Sequence, residues 1–229
     1  MTQNDWHDRY ADRISTAPAA MKLIQPGDSI FIGTGCAQPQ HLVNALVEHS
    51  SHIYDAHIIH MLTMGSAPYV DERFRARFKM NSFFVADNVR HALDQGIGDY
   101  TPIFLSEIPD EFESGRIPID VALIAVTPPD KNGQCSLGLS VDIVKSAAAN
   151  AKYVIAQVNA QMPRTLGSSF VHVNDIDMLV PYDEAPITIP VHEPSDTLRR
   201  IGQNLARLVE DGSTIECGIG SIPQALAEF

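Results

Sequence analysis

Residues 23–42, LIQPGDSIFIGTGCAQPQHL, read as a turn, one apolar strand, a glycine loop and the start of a helix. Pro26-Gly27-Asp28 punctuates the turn, and SIFIG (29–33) forms the strand. Gly33 and Gly35 open the loop, and Pro39 suits a first helical turn, where its missing N–H is not needed. Residues 208–226, LVEDGSTIECGIGSIPQAL, repeat the sentence. Gly27, Gly33 and Gly35 recur as Gly212, Gly218 and Gly220, each after 185 residues, and Pro39 recurs as Pro223 after 184. One strand–loop–helix unit can arise by convergence; five matched elements argue for two similar domains in tandem. The first domain is expected at 1–190, and 191–229 as a linker and the beginning of the second. The boundary falls in the proline-rich VPYDEAPITIPVHEP (180–194), which cannot be helical. Ser195 or Asp196 then caps a new helix. PQALAEF (223–229) carries no helix stop signal, so the reading expects a truncated piece of a longer protein.

Between the two copies, apolar runs of strand length alternate with helical patterns. SIFIG (29–33), AHIIHML (56–62), SFFVA (82–86), DVALIAVTP (120–128), YVIAQVN (153–159) and TIECG (214–218) read as strands. QHLVNALVEHS, DEFESGR, VDIVKSAAANA and DTLRRIGQNLARLVEDG read as helices. With strands bounded by helices, this order predicts an α/β fold with a largely parallel sheet covered by helices. The 229 residues are 45% apolar with mean hydropathy −0.04, an ordinary globular composition. A formal charge of −12 argues against nucleic-acid or anionic-membrane partners, though a glycine loop can still bind a small anion. Cys36, Cys135 and Cys217 are scattered without a CxxC pair, and the N-terminal stretch is polar, so a reducing, cytoplasmic location is expected.

Several stretches invite chemistry. Gly-x-Gly loops at strand ends bring backbone amides close to ligands, although both copies lack the third glycine of the dinucleotide fingerprint. Gly35 and Cys36 in GTGCAQP and Met64 and Gly65 in TMGSAP end strands and could border a substrate pocket; turn geometry is the competing explanation. HSSHIYDAHIIH (49–60) holds four histidines, but His57 and His60 are three apart in a strand and point to opposite faces, so no metal is expected. Cys36 with His41 as a nucleophile–base pair lacks a third group to orient it. RFRARFK (73–79) reads as a solvated helix face with Phe74 and Phe78 packed inward. Arg164 in QMPRT could meet a phosphate or a structural carboxylate.

VTPPDKNGQCSLGLSVD (126–142), QVNAQMPRTLGSSFVH (157–172) and GIGSIPQAL (218–226) carry a further observation. With them the chain closely resembles the N-terminal part of the acetyl-CoA hydrolase/CoA-transferase family, which includes 4-hydroxybutyrate CoA-transferase. That resemblance implies a NagB/RpiA/CoA-transferase-like fold and transfer of CoA from an acyl-CoA to a carboxylate, or hydrolysis. It implies a glutamate nucleophile, with acyl–glutamyl anhydride and glutamyl–CoA intermediates whose oxyanions need backbone donors. The family's coenzyme A loop maps onto Gly218, Ile219, Gly220, Ser221 and Ile222. Its glutamate maps about twenty residues past that loop, beyond Phe229, so no catalytic residue is expected here and residues 1–229 alone should be inactive. A non-enzymatic metabolite sensor or scaffold of the same fold is the alternative. Partners are then acyl-CoA and carboxylic acid. A homodimer or higher oligomer is also expected, because the apolar residues of 195–229 lack a core of their own.

Overall fold

The computed structural model describes residues 5–189 and 193–229, and the chain divides after Thr188 into two compact units. In the first unit, strands β1 (Ser29–Ile32), β2 (Ala56–His60), β3 (Phe78–Ser82), β4 (Gly98–Tyr100) and β5 (Ile119–Val126) alternate with helical segments. A short β6 (Gln134–Ser136), then β7 (Ala151–Val158), β8 (Phe170–His172) and β9 (Met178–Pro181) follow. Seven of these form one parallel sheet in the order β4-β3-β2-β1-β5-β7-β9. β6 and β8 pair antiparallel in a separate ribbon.

The helices are α1 (Asp5–Arg9), α2 (Ala17–Ala20), α3 (Gln40–Glu48), α4 (Asp87–Asp94), α5 (Ile108–Glu113), α6 (Val144–Asn150), α7 (Asp196–Ala206) and α8 (Ser221–Leu226). Strand side chains alternate between two cores. Ile30, Ile32, Ile58, Leu123 and Ile155 meet α2, α3 and α4 through Ala20, Leu42, Leu46 and Val89. Phe31, Ile124, Val126 and Val158 meet α5 and α6 through Phe112, Val144 and Ala147. The all-apolar run of β5 is explained by this sandwich: Val121 to Val126 are buried whichever face they take.

Two expectations need correction. The third strand is not SFFVA but Phe78–Ser82, whose burial alternates while Phe84 stands exposed. RFRARFK is not a helix: Glu72–Phe74 is one 3₁₀ turn and Phe78 already begins β3. Its phenylalanines do pack inward, Phe78 buried and Phe74 against the same core. β9 (Met178–Pro181), a strand not expected from the sequence, runs into the first two residues of the proline-rich stretch 180–194, read as extended and non-helical. It is an edge strand, where a proline's missing donor is tolerated.

The second unit contains α7, capped by Ser195 Oγ accepting from the Leu198 amide at 3.3 Å, and α8. Gly202 is the packing point between them: a Cβ there would stand 2.6 Å from the Ala225 carbonyl oxygen. The turn of the first copy recurs. Gly27 and Gly212 both have φ +82°, and the amides of Asp28 and Ser213 donate to the carbonyls of Gln25 and Glu210 at 3.2 and 3.1 Å. These are type II turns, with glycine where φ must be positive. The strand that should follow does not form: residues 214–218 pair with nothing among the described residues. β1 is held by β2 and β5, both of which follow it in sequence, and no described strand follows residue 218. Leu208, Ile215 and Ile219 are exposed. Among the described residues no helix is long and apolar enough to cross a membrane.

Candidate functional site

The carboxyl ends of β1, β2, β5 and β7 gather the loops singled out in the sequence. Beyond β1, Gly35 takes φ +58°, pairs with Thr63 beyond β2 in a parallel bridge, and donates its amide to the Leu62 carbonyl at 2.7 Å. This brings Gly35 and Cys36 beside Met64 and Gly65. Three polar side chains that sequence reasoning missed complete the junction. The Gly65 amide donates to Gln38 Oε1 at 3.0 Å, the Ser66 amide to Gln40 Oε1 at 2.9 Å, and Asn88 Nδ2 to the Gly65 carbonyl at 2.6 Å. Gln38 Nε2 in turn donates to the Ser66 carbonyl at 2.9 Å. Gly65 is compact for a reason: a Cβ would meet Gln40 Oε1 and stand 2.9 Å from Ile187 Cδ1.

The loop after β5 closes on the same region. Thr34, fully buried, donates to Asp142 Oδ2 at 2.5 Å, while Asp142 Oδ1 accepts from the Ile143 and Val144 amides at the start of α6. A Cβ on Gly35 would stand 2.7 Å from Ser140 Oγ. VTPPDKNGQCSLGLSVD and QMPRTLGSSF are tied together by Ser136, whose Oγ accepts from the Gly138 and Thr165 amides at 3.2 and 3.1 Å. Arg164 is a structural cation: Nη2 meets Asp130 Oδ2 at 2.7 Å and the guanidinium covers the Phe170 ring at 4.8 Å.

Cys36 is half-buried and burial raises its thiol pKa, which disfavours thiolate. Among the described residues no hydrogen bond joins it to His41, whose ring stacks on Tyr182 at 3.7 Å. Burial lowers the His41 pKa, and the charges of Glu184 and Glu48 raise it in part. Deeper, His60 and Tyr69 are buried with Thr63 and Ser82; His60 Nδ1 lies 2.9 Å from Thr63 Oγ1. Its Nε2 has no partner among the described residues, and the Tyr69 hydroxyl meets Thr63. No group of three or more potential metal ligands forms among the described residues.

Gly218, Ile219, Gly220, Ser221 and Ile222 sit in the second unit. Gly220, at φ 150°, caps α8, and Ser221 and Ile222 are its first residues. All five are exposed, with their backbone close to a helix start, where amides lack intrahelical acceptors.

An open parallel sheet with a core on each face, glycine loops and polar side chains meeting at its carboxyl edge makes this an α/β protein of the doubly covered kind. The chain belongs to the acetyl-CoA hydrolase/transferase family: residues 1–190 match the model of that family's N-terminal domain. It is 41% identical over 225 residues to 4-hydroxybutyrate coenzyme A transferase of Clostridium kluyveri, covering 98% of this chain and 52% of the relative. It is 38% identical to a succinyl-CoA:acetate/propanoyl-CoA:succinate CoA transferase of Fasciola hepatica, covering 95% and 46%. Among solved structures, 4-hydroxybutyrate CoA-transferase from Porphyromonas gingivalis superposes with TM-score 0.81 at 31% identity, covering 98% of this chain and 52% of that one. The chain spans about half the length of the curated relatives it matches.

Proposed function

We propose that the protein carrying this chain moves coenzyme A between an acyl-CoA thioester and a short carboxylic acid, or water. The chemistry would run through a glutamyl–CoA thioester whose glutamate lies outside residues 1–229. The carboxylate attacks the thioester carbonyl and expels CoA thiolate; the thiolate returns to the glutamyl carbonyl and releases the acyl group as a carboxylate. The observation that carries this reading is the meeting of Gly35–Cys36 with Met64–Gly65 at the carboxyl edge of the sheet, in a chain of this family. In this reading those four residues border the acyl pocket, and Gly218 to Ile222 offer backbone amides to coenzyme A. The relatives' names carry acetate, propanoate, succinate and 4-hydroxybutyrate, which supports an acid of about two to four carbons. A cytoplasmic protein is proposed on its scattered free cysteines.

The test is an exchange assay with acetyl-CoA and butyrate. The complete gene product is expected to form butyryl-CoA and residues 1–229 to form none. Turnover by residues 1–229 that survives Cys36→Ala would place the nucleophile within this chain and overturn the reading.

We further propose that 191–229 begins a second domain like the first and promotes a homodimer or higher oligomer. The repeated turn at Gly27 and Gly212 and the exposed Leu208, Ile215 and Ile219 support this. Sedimentation should give a dimer or larger species for 1–229 and a monomer for 1–190; two monomers would refute it.

A further inference from the structure

The segment after β9 turns back over the carboxyl ends of the strands, and its fixed points are polar. Gln157 Nε2 donates to Glu184 Oε1 at 2.5 Å. Asn159 holds the same residue's backbone twice: Nδ2 donates to the Glu184 carbonyl at 2.8 Å, and the Glu184 amide donates to Asn159 Oδ1 at 3.3 Å. Gln157 and Asn159 are 1% and 2% exposed, so the clamp is built into the end of β7. Two residues earlier Tyr182 lies flat on His41, with the rings 4° from parallel. Three residues later Ile187 reaches Gly65. Residues 182–187 therefore form a strap from the end of β7 to the end of β2, with the Glu184 carboxylate half-buried along it.

The register says what the strap faces. Gln157 lies opposite Ala125, and the β1–β5 pairing of Ile32 with Leu123, continued by two residues, brings Thr34 opposite Ala125 from the other side. Thr34, Ala125 and Gln157 thus form one row across β1, β5 and β7. Neighbouring strands are about 4.8 Å apart, so Gln157 stands about 10 Å from the Gly35 loop. A four-carbon acid with its carboxyl group at that loop would span about half this distance, and laid along the row it would extend toward the Gln157–Glu184 pair. What it meets there is rich in acceptors. Glu184 brings a negative charge, and Gln157 Oε1 is buried without a partner among the described residues. Burial lowers the pKa of His41, with the charges of Glu184 and Glu48 opposing the shift.

We propose that Glu184, clamped by Gln157 and Asn159, is a specificity residue that makes the acyl pocket reject a second carboxylate and select monocarboxylic acids. This rests on the CoA-transfer reading and deepens it; the relatives' names include succinate users, so kinship alone does not decide the choice. Like charges facing each other across a half-buried site repel strongly enough to shift selectivity by at least tenfold.

The experiment uses the complete gene product with acetyl-CoA as donor, and butyrate and succinate as acceptors of equal chain length. The ratio of kcat/KM for succinate to that for butyrate is expected to rise at least tenfold in Glu184→Gln. That variant keeps the acceptor oxygen for Gln157 and loses only the charge. A merely structural role would lower both acids together and leave the ratio unchanged, which overturns the proposal. The wild type provides a second arm that needs no variant. Monomethyl succinate, with its second carboxyl masked, is expected to be accepted within a few-fold of butyrate, and rejection as strong as that of succinate overturns the proposal. Absence of transfer to every acid sinks the CoA-transfer reading with it, whereas an unchanged ratio sinks only the specificity.

Discussion

Gly35→Ala is expected to lower the unfolding free energy by about 2–5 kcal/mol, adding a left-handed strain of about 1–2 to overpacking of about 1–3. Both causes are local. The residue holds φ +58°, and a Cβ would stand 2.7 Å from Ser140 Oγ. The backbone cannot rotate away without giving up the 2.7 Å bond from its amide to Leu62, which ties the ends of β1 and β2 together. Two companions separate the causes in urea denaturation. Gly27→Ala has φ +82° but nothing within 4 Å of the new Cβ, so it carries the backbone cost alone. Gly35→Ala combined with Ser140→Ala should recover the overpacking share. Equal losses for the Gly27 and Gly35 variants would show that the Ser140 contact matters little.

The second large effect is acid sensitivity from His60. Its ring is 1% exposed, and burial holds its pKa down at about 4 against an ordinary 6.5. The unfolded chain takes up this proton as pH falls through 6.5, whereas the folded protein refuses it until about 4. Stability is therefore complete above pH 6.5 and declines between 6.5 and about 4, by a total of about 3 kcal/mol at 1.36 kcal/mol per unit. His41, also depressed by burial, adds in the same direction. His60→Asn should start less stable at pH 7 yet show a shallower decline over that window in urea midpoints. A variant as steep as the wild type would assign the acid loss to other groups.

The central strands were legible because burial on both faces leaves no room for polar residues: DVALIAV and YVIAQV could be nothing else. β3 was not, since Lys79 and Asn81 interrupt it on the less buried face while the adjacent Phe83 and Phe84 mimic a better strand. The β6–β8 ribbon was hidden because each strand is three residues long. The glycine loops announced the pocket wall, but Gln38, Gln40, Asn88 and the Gln157–Glu184 clamp are contacts across 23 to 28 residues that no local pattern encodes. One signal was available: Gln157 and Asn159 are two polar residues on the same face at the end of an apolar strand, where burial without a partner would be costly. In the second copy the turn residues dictated the turn, which is local. The strand failed because a strand is a property of its neighbours.

The sheet order also sets a schedule for synthesis. Ile30 of β1 pairs with Val121 of β5, and the Ser29 amide is held by Asp120 Oδ2 at 2.9 Å across 91 positions of chain. A ribosome adding ~5–20 residues per second makes that partner available ~5–20 s after β1 emerges. Until then Ile30, Phe31 and Ile32, each almost completely buried in the finished sheet, have only β2 on one side and an open edge on the other. That bare edge is an adhesive surface on the nascent chain. The middle of this sheet is the first part made and among the last completed, so its safe assembly depends on whatever shields β1 while β5 is still being translated.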